Sequence, residues 1–128
     1  RKAIESVLPL IESKEDEYFH AFYIRGEKIG EDEDLGVEKI LQKIDPETSV
    51  LACGPGARNF VEKVNEETPL YSLHAFTPEG DACESLFEIA EQMIAEKKPA
   101  LEDYDGPVYV RKSEAEIVLE NKNAELQK

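Results

Sequence analysis

Cysteine is scarce in this 128-residue chain: Cys53 and Cys83 are the only two, with neither the density of a disulfide framework nor the spacing of a metal-ligand set. Cys53 ends an apolar run and Cys83 opens a helical stripe, so both are expected to be buried and reduced. Basic residues are also few. Fifteen Lys and Arg stand against 29 Asp and Glu, a net charge of −14. Such a balance repels phosphate instead of releasing its counterions, which argues against unaided nucleic-acid binding and favours partners with basic surfaces. No apolar run approaches the roughly 20 residues needed to cross a bilayer, and the first residues have no signal-peptide core. A location in the cytoplasm, away from membranes, is therefore expected.

Several chemical signatures are missing as well. Neither the GxGxxG nor the GxxxxGK[ST] spacing of phosphate-binding loops occurs, and neither does a GxSxG nucleophile elbow or an HExxH metal motif. His20 and His74 lie 54 positions apart, with no second histidine at ligand spacing. Of the serines at 6, 13, 49, 72, 85 and 113, none is placed beside an obvious base. No catalytic, cofactor-binding or metal-ligating residue is nominated, and no cofactor is implied.

What is present is patterning. With 41% hydrophobic residues the chain is long enough to bury one core, so residues 1–128 are expected to be a single domain. Val7-Leu8-Pro9-Leu10-Ile11 and Phe19 to Tyr23 read as two strands, joined by the polar Glu12 to Glu17 turn. Arg25-Gly26-Glu27-Lys28 predicts a second turn into a short strand near Ile29, which completes an antiparallel meander. The acidic run Glu31-Asp32-Glu33-Asp34 lacks the alternation and glycine of a calcium loop and reads as a solvated turn.

From Leu35 the period changes: Val37, Ile40, Leu41 and Ile44 predict a helix stopped by Asp45-Pro46. Thr48 to Cys53 then reads as a buried strand, Gly54-Pro55-Gly56 as a tight loop, and Ala57, Phe60, Val61 and Val64 as the inner face of a second helix. Strand, glycine loop and helix in that order have the outline of a phosphate site, because helix N-terminal amides point at anions. Without the motif spacing, a structural turn is the better reading. Leu70 to Leu73 suggests another short strand. Cys83, Leu86, Phe87, Ala90, Met93 and Ile94 form the longest helical stripe, capped by Asp81 and broken by Pro99. Pro107-Val108-Tyr109-Val110-Arg111 is expected to be an ordered strap with its valines buried on one face. Ser113 with Glu116 is a capping-box signature for a last helix.

Three segments in order carry a resemblance. Leu10 to Tyr23 is similar to the stretch that opens the second half of the TsaB (YeaZ) family, where a DAR, an acidic turn and an aromatic strand stand together. Val50 to Ala57 is similar to that family's strand and GDGA turn, and Pro107-Val108-Tyr109-Val110-Arg111-Lys112-Ser113 with Ala115-Glu116 resembles its PLYLR ending. The chain departs from the pattern at Glu12-Ser13-Lys14, where the family has DAR, and at Pro55, where it has the GDG aspartate. The family's N-terminal half, with its LALDTS strand and GPGSFTGLR loop, is absent, and Arg1 in place of an initiator Met is consistent with a fragment or a processed product.

The resemblance implies an α/β fold, the actin-like or RNase H-like half: three antiparallel strands, then alternating helix and strand, in a mixed sheet with helices packed on it. It also implies a non-catalytic scaffold subunit for threonylcarbamoylation of adenosine in transfer RNA. The implied partners are a catalytic TsaD-like and an ATPase TsaE-like protein, with a possible homodimer through the missing half. The family is catalogued with glycoproteases but lacks their metal-binding histidines. Two alternatives remain open. One is a fragment of an ATP-using enzyme of the same superfold, with Gly54 to Ala57 near a nucleotide, and the other is a free-standing acidic adaptor for a basic protein.

Overall fold

A computed structural model of the chain describes residues 4–76 and 82–127. Its residues form two compact units, Arg1–Thr77 together with Tyr109–Lys128, and Pro78–Val108.

The first unit is built on a mixed five-stranded sheet. Strands β1 (Ser6–Lys14), β2 (Glu17–Ile24) and β3 (Glu27–Gly36) make the antiparallel meander. Helix α1 (Val37–Leu41) carries the chain back across the sheet to β4 (Ser49–Cys53), which lies parallel to β1. Helix α2 (Ala57–Glu67) then leads to β5 (Ser72–Phe76), parallel to β4. The strand order is β3-β2-β1-β4-β5. This is the expected mixed sheet with helices packed on it.

Local chemistry accounts for the turns. Arg25 and Gly26 both have positive φ, 50° and 81°, the signature of a two-residue hairpin whose twist matches that of its strands. Asp16, at φ 63°, closes the β1–β2 turn with a residue type that tolerates the left-handed region. Strand β3 runs much further than the short strand expected near Ile29. The acidic run 31–34 belongs to it and is not a solvated turn: this edge strand is exposed along residues 27–32 and half-buried along 33–36, so its sequence shows no period-two alternation.

One face of the sheet carries the core. Leu8, Leu10, Tyr18, Val50, Ala52 and Leu73 point to it from the strands, and they meet Ile40, Leu41 and Ile44 from the α1 region. Ala57, Phe60, Val61 and Val64 complete it from α2, the four positions whose spacing predicted that helix's inner face. Phe60 meets Tyr18 edge to face, with ring centroids 5.3 Å apart.

After the second unit the chain rejoins the first through residues 109–113 and α4 (Glu114–Leu126), whose N-cap Ser113 accepts the Glu116 backbone N–H at 3.2 Å as its sequence predicts. The expected buried strap at Pro107 to Arg111 is not found. Those residues form no strand, and Val108 and Tyr109 are 89% and 81% exposed. Two valines bury too little area to order five residues without ladder hydrogen bonds.

The second unit contains α3 (Cys83–Ala95). Its apolar stripe, Leu86, Phe87, Met93 and Ile94, is exposed, and so is Cys83, against the expectation that this cysteine would be buried. Amphipathic spacing fixes which side of a helix needs cover and leaves open what covers it. The N-cap is Ala82, without a side-chain hydrogen bond, and the expected Asp81 cap lies outside the described residues. Helix α3 ends with Lys97 at φ 58°. The Lys97 N–H donates to the Ile94 carbonyl and the Lys98 N–H to the Met93 carbonyl, both at 3.0 Å, the Schellman arrangement.

Candidate functional site

The glycine loop was the one phosphate-like feature of the sequence, and packing explains it. Gly54 has φ 90°, and a Cβ there would lie 2.7 Å from the Leu10 carbonyl oxygen. The Gly56 N–H donates to that same carbonyl at 2.9 Å, and a Cβ on Gly56 would stand 3.0 Å from the Tyr18 ring. Both glycines let the β4–α2 crossing lie directly against β1 and Tyr18. A side chain is excluded there by the protein itself, without any ligand.

Tyr18 links this crossing to a recess of the unit. Its hydroxyl donates to Asn59 Oδ1 on α2, and Lys63, one turn further along, lies 5.8 Å from its ring centroid. Burial raises the Tyr18 pKa, with the Lys63 charge working in the opposite direction. Lys63 in turn bonds to Asp16 in the β1–β2 turn, and that hydrogen bond raises the lysine's own pKa.

The Lys63–Asp16 pair forms one wall of a cleft of about 550 Å³. Glu15, Asp16 and Glu17 come from the turn and Asp34 to Gly36 from the end of β3. Val37, Glu38 and Lys39 come from α1, and Lys63 and Glu67 from α2. The β3 run and the β1–β2 turn, read separately in the sequence, thus meet at one rim. Besides Asp34, whose side chain is almost fully covered, five carboxylates and two ammonium groups line the cleft and make it complementary to basic groups. Among the described residues, no group of three or more His, Cys, Asp or Glu is arranged to hold a metal ion.

The histidines lie elsewhere. His20 is buried on the core face of β2, where its Nδ1 lies 3.2 Å from the Tyr18 carbonyl and its Nε2 3.4 Å from Lys43 Nζ. The carbonyl requires a proton on Nδ1, and the ammonium then requires a lone pair on Nε2, so the ring is neutral. Burial is the main cause of its lowered pKa, and Lys43 adds to the effect. Lys43 also pairs with Glu33, whose carboxyl it holds below its ordinary value. His74 is exposed on β5, where strand spacing places it beside Ser72, with Ser72 Oγ 3.4 Å from His74 Nε2 and 3.1 Å from Ser49 Oγ. That juxtaposition was legible as i, i+2 positions on a strand, but the strand itself was expected two residues too early.

Ser6 is buried in β1. Ser13 donates to Asp34 Oδ1 at 2.5 Å. Cys53 is half-buried, and burial raises its thiol pKa, so its sulfur is held as the thiol. No helix among the described residues is long and apolar enough to cross a membrane.

No family model matches the chain, and no curated protein matches it. Among solved structures it is similar to the crystal structure of an uncharacterized protein with similarity to peptidase YeaZ from Pseudomonas aeruginosa. The TM-score is 0.57 and the identity 21%, over 84% of this chain and 50% of that one. The chain therefore spans about half the length of the structure it matches, and the likeness establishes a YeaZ-like fold.

Proposed function

We propose that this chain is the C-terminal half of a TsaB-like subunit, a scaffold without chemistry of its own. In this reading it works in the cytoplasm beside a TsaD-like catalytic protein and a TsaE-like ATPase in the threonylcarbamoylation of adenosine in transfer RNA. The observation that carries the reading is the YeaZ-like fold, coupled to a family-like ending at Pro107 to Arg111 in its proper place in the chain order. The acidic cleft supports a protein-contact role, since its carboxylates are suited to basic side chains and meet no histidine or cysteine among its lining residues. The whole span from Arg1 to Lys128 then belongs to one half of a larger protein.

The test is restoration of threonylcarbamoyladenosine, read by mass spectrometry of transfer RNA, in cells depleted of their own TsaB. The chain is supplied alone and together with a separate TsaB N-terminal half. Restoration only when both are present is the expected result. Failure in both arms, together with no co-purification of TsaD-like or TsaE-like proteins, sinks the proposal.

A further inference from the structure

The C-terminal segment returns to the first unit with little apolar anchor, Ile117 alone among the apolar side chains of 111–127 being half-buried. Val108 and Tyr109 are exposed, and α4 has no buried residue. What joins the segment to the sheet is charge. Arg111 Nε stands 4.0 Å from Asp34 Oδ2, and Lys14 Nζ stands 3.7 Å from Glu114 Oε1. Arg111 Nη2 also donates to Glu114 at 2.6 Å, so Glu114 ties the two attachments into one network.

The two sides of this network differ in rigidity. The Asp34 side chain is only 7% exposed and already accepts the Ser13 hydroxyl. Its register partner is Phe19, which is paired with Ile11, so Asp34 lies on the sheet face turned away from α1 and α2. A covered carboxylate needs a charged or hydrogen-bonding partner, and this one is held in place by the sheet before Arg111 arrives. Arg111 comes from a stretch with no regular structure. The receptor is fixed and the arriving cation is the part able to leave.

We infer that residues 111–127 form a salt-releasable strap, pinned to the sheet by Arg111 on Asp34 and steadied by Lys14 on Glu114. The strap carries three basic and four acidic residues, so it is close to neutral and is not itself strongly repelled by the acidic body. Its attachment depends on a few short pairs, and the screening length falls from about 10 Å at 0.1 M salt to about 3 Å at 1 M. With only Ile117 half-buried to hold it besides, the strap leaves as these pairs are screened, while the helix-on-sheet core stays folded. Release uncovers Asp34 and frees Glu114.

The test places spin labels at Asn123→Cys on α4 and Glu31→Cys on β3 of the full chain, with Cys53 and Cys83 changed to Ser. Electron–electron distance measurements are taken while salt is raised from about 0.02 M to about 0.5 M. One narrow distance at low salt that broadens at high salt, with an unchanged urea midpoint for the sheet, is the expected result. Arg111→Gln should broaden the distance already at low salt, and the exchanged pair Asp34→Arg with Arg111→Asp should restore it. A distance that stays narrow at high salt and in Arg111→Gln overturns the inference, because something other than charge then holds α4. A broad distance in the unmodified pairing at low salt overturns it as well. If the exchanged pair fails to fold, Arg111→Gln alone decides, since that side chain is outside the core.

Discussion

Helices α2 and α3 have nearly the same kind of sequence and opposite surroundings. Each shows an apolar stripe at helical spacing, Ala57, Phe60, Val61 and Val64 in one and Leu86, Phe87, Met93 and Ile94 in the other. The first stripe is buried against the sheet in every position, and the second is exposed in every position. An amphipathic pattern states that a cover is needed. For α2 the cover is supplied within a few residues, because β4 and β5 flank it in sequence and the Gly54–Gly56 crossing presses it onto β1. For α3 the nearest strand ends at Phe76, and nothing equally local determines the contact.

The sharpest way to break this comparison is a pair of phenylalanine truncations. Phe60→Ala removes a fully buried ring and its contact with Tyr18, and is expected to cost about 3–5 kcal/mol in urea denaturation. Phe87→Ala removes an exposed ring and is expected to stay within about 0.5 kcal/mol. A loss of about 2 kcal/mol or more at Phe87 would show that the α3 stripe is covered in solution, and the contrast between the helices would then be lost.

Gly54→Ala comes next in size. At φ 90° an L side chain is strained, and its Cβ would meet the backbone of Leu10, which cannot rotate away as a flexible side chain could. A loss of about 3 kcal/mol is expected, with the crossing forced off β1 and α2 loosened. Gly26→Ala has a positive φ but open space around it, so it should cost only the backbone strain, about 1–2 kcal/mol. Equal losses at the two glycines would disprove the close-approach explanation.

Much of the first unit could be read from spacing alone, for reasons visible in these residues. The inner face of α2, the strand through Val50 and Ala52, and the Ser113 cap are local patterns with a single structural solution. The parts that were misread depend on distant partners. The acidic end of β3 is ordered by pairing with β2, which outweighs the weak strand preference of Glu and Asp. The attachment of the C-terminal segment was expected at the valines, where hydrophobicity pointed. It lies at Arg111, whose partner Asp34 is 77 positions away and was read as part of a turn. The cleft was hidden for the same reason, since its walls come from three separate segments.

A pH series tests the polar side of the core. His20 has a lowered pKa because it is buried, so the fold prefers the neutral ring. The sign follows from linkage: the unfolded chain takes up a proton at the ordinary histidine value of about 6.5, and the folded chain resists it until lower pH. Stability from this site is therefore complete above pH of about 6.5 and declines as pH falls below it. An imidazolium would also face the Lys43 ammonium across 3.4 Å. Urea midpoints measured from pH 7.5 down to pH 5.5, about the range in which histidine titrates, should fall for the native chain. They should fall less for His20→Gln, which lacks the titration while carboxylate effects stay the same in both. Parallel slopes would mean that His20 takes up its proton as readily in the folded as in the unfolded chain, and that its burial does not matter.

The smallest effect concerns the end of α3 and sharpens the contrast with α2 most directly. Lys97 holds the C′ position of a Schellman motif at φ 58°, a conformation that costs a residue with a Cβ about 1–2 kcal/mol and costs glycine almost nothing. Lys97→Gly relieves that strain in the folded helix but gives the unfolded chain more freedom, which returns part of the gain. A net stabilisation of up to about 1 kcal/mol is expected, confined to the end of α3. A 13-residue helix with no buried side chain is near the length at which isolated helices are marginal in water, so its population should respond to a better cap. Helix α2 is held by its buried face, and a change at its C-cap, Thr68, should hardly alter its population. Amide exchange separates the cases: slower exchange at residues 93–98 in Lys97→Gly, with α2 unchanged, supports an α3 that depends on its own termini. No change at those amides would mean that α3 is already held by contacts along its length.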